Sequence, residues 1–511
     1  MATVLPPPSK RQKREDAVRA RDPIEQPTIP DGLQRIQFRD ADTGAAQGPV
    51  VSVSLADLST KNLSLLLNSL LGNTDPSDRL PYRFYNPLGD GGEFSQEQII
   101  KAYLDGTTTT ELQLNIPCRA EAVFKVKAVT RCSASVSGHG ESILATAFSP
   151  ATSSRLATGS GDKTARIWDC DTGTPLHTLK GHTGWVLALA WSPDAGMIAT
   201  GSMDNIVRLW DPEQGTPLGA AMKGHTKWIT SISWEPYHTR EPGRPRFASA
   251  SRDYTIRIWD AVSRHTDMAL TGHKGSVSCV KWGGAGWIYS ASHDRTVKVW
   301  DAGTGTLVHT LNAHAHWVNH LALSTDFALR TGFFDHKGKK DAPDTVDGKR
   351  RKARERYGVA TSAAGGIERL VTASDDCTMY LWEPSKSTKP LQRMVGHQKQ
   401  VNHVTFSPDG VTIASAGFDN HIKLWQAKDG KFLTTLRGHV GPVYQCCFSA
   451  DSRLLVSASK DTTLKAWDVR TGKLAENLPG HQDEVFAVDW SPDGERVGSG
   501  GQDKAIRIWR N

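Results

Sequence analysis

From Gly138 to the last residue, short apolar runs alternate with tight polar turns. In the stretch Lys180–Asp211, KGHTGWVLALAWSPDAGMIATGSMDNIVRLWD, the runs VLALAWS, MIATGS and VRLWD are rich in β-branched and aromatic residues, and turns such as SPD break them. Runs of this length and composition predict β-strands joined by hairpins. The stretch recurs with variations. Each copy ends near a tryptophan: Trp168, Trp210, Trp259, Trp300, Trp382, Trp425, Trp467 and Trp509. Six residues earlier stands an aspartate (Asp162, Asp204, Asp253, Asp294, Asp376, Asp419, Asp461, Asp503). Ten residues earlier stands a hydroxyl (Thr158, Thr200, Ser249, Ser290, Thr372, Ser415, Ser457, Ser499). A histidine opens each copy (His139, His182, His225, His273, His314, His397, His439, His481), so eight copies keep all four positions. A further apolar run, such as PLHTLKG or KFLTTLRG, precedes the next Gly-His and makes four strands per copy. A fixed period of this kind decides an architecture.

The pattern resembles the WD40 repeat over about three quarters of the chain. That resemblance implies a β-propeller of four-stranded blades around a channel, here with eight blades. Histidine, hydroxyl and carboxylate together also suggest a hydrolase. Eight equivalent copies, each with a tryptophan, favour a structural reading in which the four polar groups satisfy one another inside a blade. The last copy reaches Trp509 with no fourth strand after it. AVFKVKAVTRCSAS, residues 122–135, is the spare strand expected to close the ring and leave no exposed sheet edge.

Ahead of the repeats the pattern changes, and no tryptophan occurs before Trp168. RIQFRDA and PVVSVSL flank a turn-rich DTGAAQG and predict a hairpin. LSTKNLSLLLNSLLG has leucines at helical spacing, with Ser59 or Thr60 as N-cap. LPYRFYN, a second helix SQEQIIKAYLDG and a strand LQLNIPC follow. This order resembles a β-grasp, the ubiquitin-like fold, over residues 33–127. It carries no Gly-Gly tail, so an interaction arm is expected rather than a conjugated modifier. The expected fold class is therefore mainly β: an eight-bladed WD40 propeller over 122–511, preceded by a small α+β module. Residues 1–32 are rich in proline and charge and are expected to be disordered.

Composition adds little to the fold and more to the setting. The 511 residues are 38% hydrophobic, enough for a large core, and the formal net charge is +7. Seven scattered cysteines without a C-x-x-C pair fit neither a zinc site nor a disulfide scaffold and suit a reducing compartment. No run approaches the roughly 18 apolar residues that span a bilayer, and no signal-peptide core is seen. The expectation is a soluble intracellular protein. Lys10, Arg11, Lys13 and Arg14 form a candidate nuclear-import cluster in the tail.

Two irregularities interrupt the repeats. Blade three has an enlarged loop, YHTREPGRPRF, and blade five has 68 residues between His314 and Trp382, about forty more than its neighbours. The excess approaches one repeat, yet it holds no paired strands and no Trp-Asp. It reads as a charged insertion over about 331–366. Lys337, Lys339, Lys340, Lys349, Arg350, Arg351, Lys352, Arg354 and Arg356 make it a candidate contact for the phosphates of a polyanion, with a merely solvated loop as the alternative. A charge block of this kind is expected to be a disordered arm. Three residues after the opening histidine stand Trp185, Trp228 and Trp317 in blades two, three and five. Resemblance to WD40 proteins puts this position at the channel mouth on the face used for partners, and tryptophan is enriched at binding hot spots, so they are candidate propeller-face contacts, with core packing as the alternative reading.

The α+β module with ADLSTKNLSLLLNSLL and LPYRFY, the joint AVFKVKAVTRCSAS and the eight repeats together resemble the Notchless family of ribosome-assembly factors. The resemblance implies a nucleolar and nuclear, non-enzymatic protein whose propeller docks on the precursor of the large (60S) ribosomal subunit, with the basic residues of the insertion as candidate contacts for rRNA or ribosomal protein; the chain is expected to be monomeric. It further implies that the ubiquitin-like module offers an acidic residue to the adhesion site of midasin, an AAA-type ATPase. Glu111, in GTTTTELQLNIPC, matches that residue. Its carboxylate would ligate in trans an Mg2+ held by the partner, a hard cation that prefers oxygen. The chain itself would hold no cofactor, metal, membrane or small-molecule substrate. The competing reading is a WD40 substrate receptor or scaffold in ubiquitin or signalling complexes. No phosphate loop of the G-x-x-x-x-G-K-[ST] kind supports an enzyme.

Overall fold

A computed structural model of the chain describes residues 33–41, 44–72, 82–87, 94, 96–105, 113–120, 126–362 and 365–511. The chain divides into two compact units at Ala120–Glu121.

In the first unit the strands are β1 (Leu33–Asp40), β2 (Val51–Ser54), β3 (Tyr82–Phe84) and β4 (Leu114–Ala120), and the helices are α1 (Thr60–Leu70) and α2 (Gln96–Leu104). The sheet order is β2-β1-β4-β3. β1 and β4 run parallel in the centre, with Phe38 opposite Ile116, and the outer pairs are antiparallel. This is the β-grasp arrangement. Strand alternation puts Ile36, Phe38, Ile116 and Cys118 on one face, where Leu63 and Leu67 of α1 join them in one core. Of the two candidate N-caps it is Ser59 that caps α1, its Oγ accepting from the Asn62 amide at 3.2 Å.

The second unit is a ring of eight blades. Blade one is Ile143–Phe148, Arg155–Ser160, Thr164–Asp169 and Thr174–Lys180, all antiparallel. The pattern repeats around the ring, and the inner strand of blade eight, Val485–Trp490, lies against that of blade one. Blade two has three strands, and two isolated bridges, Val207 to Met222 and Trp210 to Pro217, replace its fourth. Gly219, at φ +77°, interrupts the run there.

Ring closure differs in register from the sequence expectation of residues 122–135. The strand that completes blade eight is β5 (Arg131–Ser137), which pairs antiparallel with Ala505–Arg510. Val126 and Val129 are instead buried in the core shared with blades seven and eight, and the Val126 amide donates to Asp451 Oδ2 at 2.7 Å. Burial takes the apolar surface of these two valines out of water, and bonding to the last strand begins beyond them, with the Thr130 amide donating to the Arg510 carbonyl at 2.8 Å and the ladder running from Arg131. Residues 121–125 lie outside the described residues.

The insertion in blade five is folded, not a disordered arm. It comprises α3 (Asp326–Thr331), a 3-10 turn (Gly338–Asp341) and α4 (Val346–Ser362). Among the described residues no helix is long and apolar enough to cross a membrane.

Candidate functional site

The four repeated polar residues meet inside every blade. Each His Nδ1 lies 2.7–2.9 Å from the aspartate, and each Nε2 lies 2.8–2.9 Å from the hydroxyl. Each tryptophan Nε1 donates to the same hydroxyl at 2.7–3.0 Å. Indole N–H can only donate, so the hydroxyl oxygen accepts there and turns its own proton to Nε2, which leaves Nδ1–H for the carboxylate. All eight hydroxyls are 0% exposed. A nucleophile must reach substrate, and these cannot. They hold the hairpins of a blade together.

The same aspartates cap the turn that follows. Each is succeeded by a non-glycine residue at positive φ, such as Lys163 (69°), Tyr254 (74°) and Arg295 (70°). This conformation costs about 1–2 kcal/mol and is stabilised locally, as where Asp162 Oδ1 accepts from the Thr164 amide at 2.9 Å. Burial alone would raise the Asp162 carboxyl, but hydrogen bonds from Thr164, Gly140 and His139 outweigh it and hold it at about 2. Asp204 and Asp419 are likewise held at about 2, with donors led by their histidines. A carboxylate depressed in the fold contributes stability above its unfolded pKa, roughly 3.9, and loses it as pH falls toward the folded value. The thermal midpoint is therefore expected to be nearly flat from pH 8 to 7 and to fall steeply below about pH 4. An earlier, shallower decline from about pH 6.5 belongs to histidines that burial keeps neutral, such as His320, pushed down to about 3. A midpoint unchanged between pH 7 and pH 3 in calorimetry would refute this assignment.

Beside these turns, Trp185, Trp228 and Trp317 are 49, 38 and 48% exposed, whereas the eight blade tryptophans are buried. Arg252 lies over Trp228 at 4.7 Å, and His293 stacks on Trp317 at 4.6 Å with 12° between the planes. Trp317 immediately precedes the inner strand Val318–Leu323, and the insertion follows that strand. The exposed tryptophans and the insertion thus occupy opposite faces of the ring.

On the insertion face, Phe333 and Phe334 enter a core with Ala151 of blade one, Tyr237 of blade three and Ala353 of α4. Tyr357 of α4 stacks on His238 at 4.8 Å. The enlarged loop of blade three and the insertion of blade five are therefore each other's partners. Asp326 pairs with Lys281 of blade four at 3.2 Å, and Arg330 pairs with Asp489 of blade eight at 2.7 Å, so α3 bridges the channel. All eight inner strands line this cavity of about 330 Å³, where His320 and His403 lie 4.2 Å apart. Glu368 anchors the base of the insertion: its carboxylate accepts from Thr325 Oγ1 (2.5 Å), the Gly284 amide (3.1 Å) and the Tyr289 hydroxyl (3.2 Å).

This arrangement divides the nine basic candidates. Lys352 is paired with Asp335 at 2.9 Å, and Lys349 lies over the Phe333 ring at 5.3 Å. Arg350 donates to the Arg240 carbonyl, and Arg356 donates to the carbonyls of Gly332 and Phe334. These four tie the insertion to itself or to the ring. Arg351 and Arg354 are exposed on α4; Lys337 and Lys339 are exposed before it, with Lys339 3.8 Å from Glu213. The side chain of Lys340 lies outside the description, as do Glu111 and the cluster Lys10, Arg11, Lys13 and Arg14. Among the described residues no group of three or more His, Cys, Asp or Glu could hold a metal ion.

The repeat family described as WD40, WD domain, G-beta repeat matches residues 130–169, 173–211, 215–260, 264–301, 388–426, 430–468 and 472–510. Blade five, whose first and second strands are parted by the insertion, lies outside the matched residues. The chain is 55% identical to Ribosome assembly protein 4 of Saccharomyces cerevisiae over 85% of each chain, and 54% identical to its namesake in Chaetomium thermophilum, also over 85% of each. It is 44% identical to Protein Notchless of Drosophila melanogaster over 72% of this chain and 74% of that one. The chain belongs to the Notchless and Ribosome assembly protein 4 family. Among solved structures, the computationally designed Ika8 protein is similar (TM-score 0.57, 25% identity, 74% of this chain and 98% of that chain).

Sequence reasoning missed Phe333, Phe334, Tyr357 and Glu368. One signal was available: an adjacent aromatic pair inside a charged segment calls for a hydrophobic partner, and the enlarged loop of blade three offers Tyr237.

Proposed function

We propose that this chain is a non-enzymatic assembly factor of the large ribosomal subunit, acting in the nucleolus and nucleus. The observation that carries the reading is the 55% identity, over 85% of both chains, to a protein named for ribosome assembly. The propeller docks on the precursor particle, and the exposed cations of the insertion, Arg351 and Arg354 among them, add a salt-sensitive attraction to phosphate. The β-grasp module offers Glu111 to the Mg2+ of the midasin adhesion site, so that ATP-driven remodelling is transmitted to the particle through one carboxylate–metal bond.

The test is a pulldown of the full-length chain on the midasin adhesion domain, with and without EDTA, comparing wild type and Glu111→Asp. The substitution keeps the charge but withdraws the carboxylate by about 1.5 Å, one carbon–carbon bond. Wild type is expected to bind only with magnesium, and the variant to lose binding while its thermal midpoint is unchanged. Equal retention of the two proteins would remove Glu111 from the mechanism. Absence of the wild-type chain from 60S-sized precursors in a sucrose gradient would remove the ribosomal reading.

A further inference from the structure

The face bearing the three exposed tryptophans is chemically uneven around the ring. In blades two to four its turns and loops (residues 180–185, 202–206, 223–228, 251–255, 271–276 and 292–296) hold three carboxylates, Asp204, Asp253 and Asp294. Each is already bonded to its histidine. The same loops expose Lys227, Arg252, Lys274 and Arg295. This sector therefore presents cations that no carboxylate of these loops is free to neutralise. Carboxylates flank this sector, Glu141 near Trp185 on one side and Asp375 beside Trp317 on the other, and Asp483 and Glu484 dilute the charge on the rest of the face.

Aromatic planes stand among these cations. Arg252 braces Trp228, Lys227 lies over Tyr254 at 5.0 Å, and His293 braces Trp317. Trp185 is backed by Gly161, where an added Cβ would come within 3.6 Å of the indole. Each indole thus has a neighbour on one side and, at 38–49% exposure, is open on the other. A flat ring held from behind among uncompensated cations is the combination that binds single-stranded nucleic acid: bases stack on the rings while Lys and Arg track the phosphates. A duplex, whose bases are stacked on one another, cannot use the rings.

We propose that blades two to four of this face bind unpaired RNA, with bases on Trp185 and Trp228 and phosphates on Lys227, Arg252, Lys274 and Arg295. The cationic surplus favours this polyanion over a protein partner. The source of the RNA rests on the ribosomal reading; the binding chemistry does not. The experiment is fluorescence polarisation of a labelled, unstructured oligoribonucleotide of about 12 nucleotides, within the site sizes such surfaces cover, against the full-length chain across a salt series, with the matching duplex alongside. Single strand is expected to bind more tightly than duplex, and Trp185→Ala and Trp228→Ala each to lose roughly 5-fold or more, with an unchanged thermal midpoint. The opposite-face pair Arg351→Ala and Arg354→Ala should keep the single-strand preference. Equal binding of duplex, or wild-type affinity in both tryptophan variants, overturns the proposal. So does a wild-type chain that ignores the oligonucleotide while the tryptophan variants leave the precursor particle, which would assign the face to a protein. Failure on polarisation with intact co-sedimentation defeats this inference alone; failure of wild type to co-sediment defeats the ribosomal reading alone.

Discussion

Exchanging Phe333 and Phe334 for alanine is expected to release the blade-five insertion from the ring while the blades stay folded. The two rings are 2 and 4% exposed and pack on each other at 4.2 Å, with Tyr237 4.8 Å from Phe333. Truncating one buried phenylalanine costs about 3–5 kcal/mol; two in contact do not add simply. The helix they hold, α4, has 17 residues and buries only Ala353, Ala360 and Thr361. Most of a helix's stability in a protein comes from its tertiary packing rather than from propensity. Local opening should therefore precede global unfolding. Trypsin reads this directly, because the insertion is dense in lysine and arginine. Cleavage at Arg350, Lys352 and Arg356 should accelerate roughly 100-fold, the factor that corresponds to about 3 kcal/mol, with the ring recovered as intact fragments. Unchanged cleavage kinetics would show that these side chains do not hold the insertion. Deleting Lys337–Arg356, by the same geometry, would remove packing as well as charge, so loss of particle binding in that deletion would not by itself report on phosphate contacts.

The second large effect is expected at Glu368. Alanine there would strip an acceptor from the Thr325 hydroxyl, the Gly284 amide and the Tyr289 hydroxyl at once, all in a site where Glu368 is 7% exposed. Leaving buried donors of this kind without an acceptor costs about 1–3 kcal/mol each, which should lower the thermal midpoint by several degrees. Glutamine keeps one acceptor oxygen and should lose less. Burial raises the Glu368 pKa, opposed by hydrogen bonds from Thr325, Gly284 and Tyr289. A carboxyl raised in the fold contributes most below its unfolded pKa, and that contribution is lost as pH rises through the folded value. The gap between wild type and Glu368→Gln should accordingly narrow as pH increases. A gap that widens with pH, or an alanine variant with the wild-type midpoint, would contradict the role given to this carboxylate.

The two predictions concern residues that no repeat pattern marked, while the repeated ones were legible. His182, Asp204, Thr200 and Trp210 could be assigned to a structural tetrad from spacing alone, because hairpins of fixed length bring fixed offsets together. The eightfold ring followed from their number. In the first unit, alternation in LQRIQFRD and the leucine spacing of TKNLSLLLNSL determined which faces are buried, as Ile36, Phe38, Leu63 and Leu67 show. That Trp185, Trp228 and Trp317 share one face followed from their common offset in the repeat, whereas their exposure rather than burial was decided by the tertiary structure.

Charge patterning led elsewhere. A block of lysine and arginine reads as solvated, because sequence shows the side chains and not the carbonyls or carboxylates that meet them. Only the tertiary structure supplies the Arg240 carbonyl for Arg350, Asp335 for Lys352 and two carbonyls for Arg356. The same limit applies across the ring. Arg330 and Asp489 are 159 residues apart and meet because α3 of blade five crosses the channel that the closed ring surrounds and reaches blade eight. Local sequence determined the strands, the turns and the tetrads, whose contacts lie within one repeat or one hairpin. Which strand closes the ring, what fills the channel and which cations remain outside were decided by contacts between blades, where the free energy of burying Val126, Phe333 and Glu368 depends on surfaces that only the assembled ring creates.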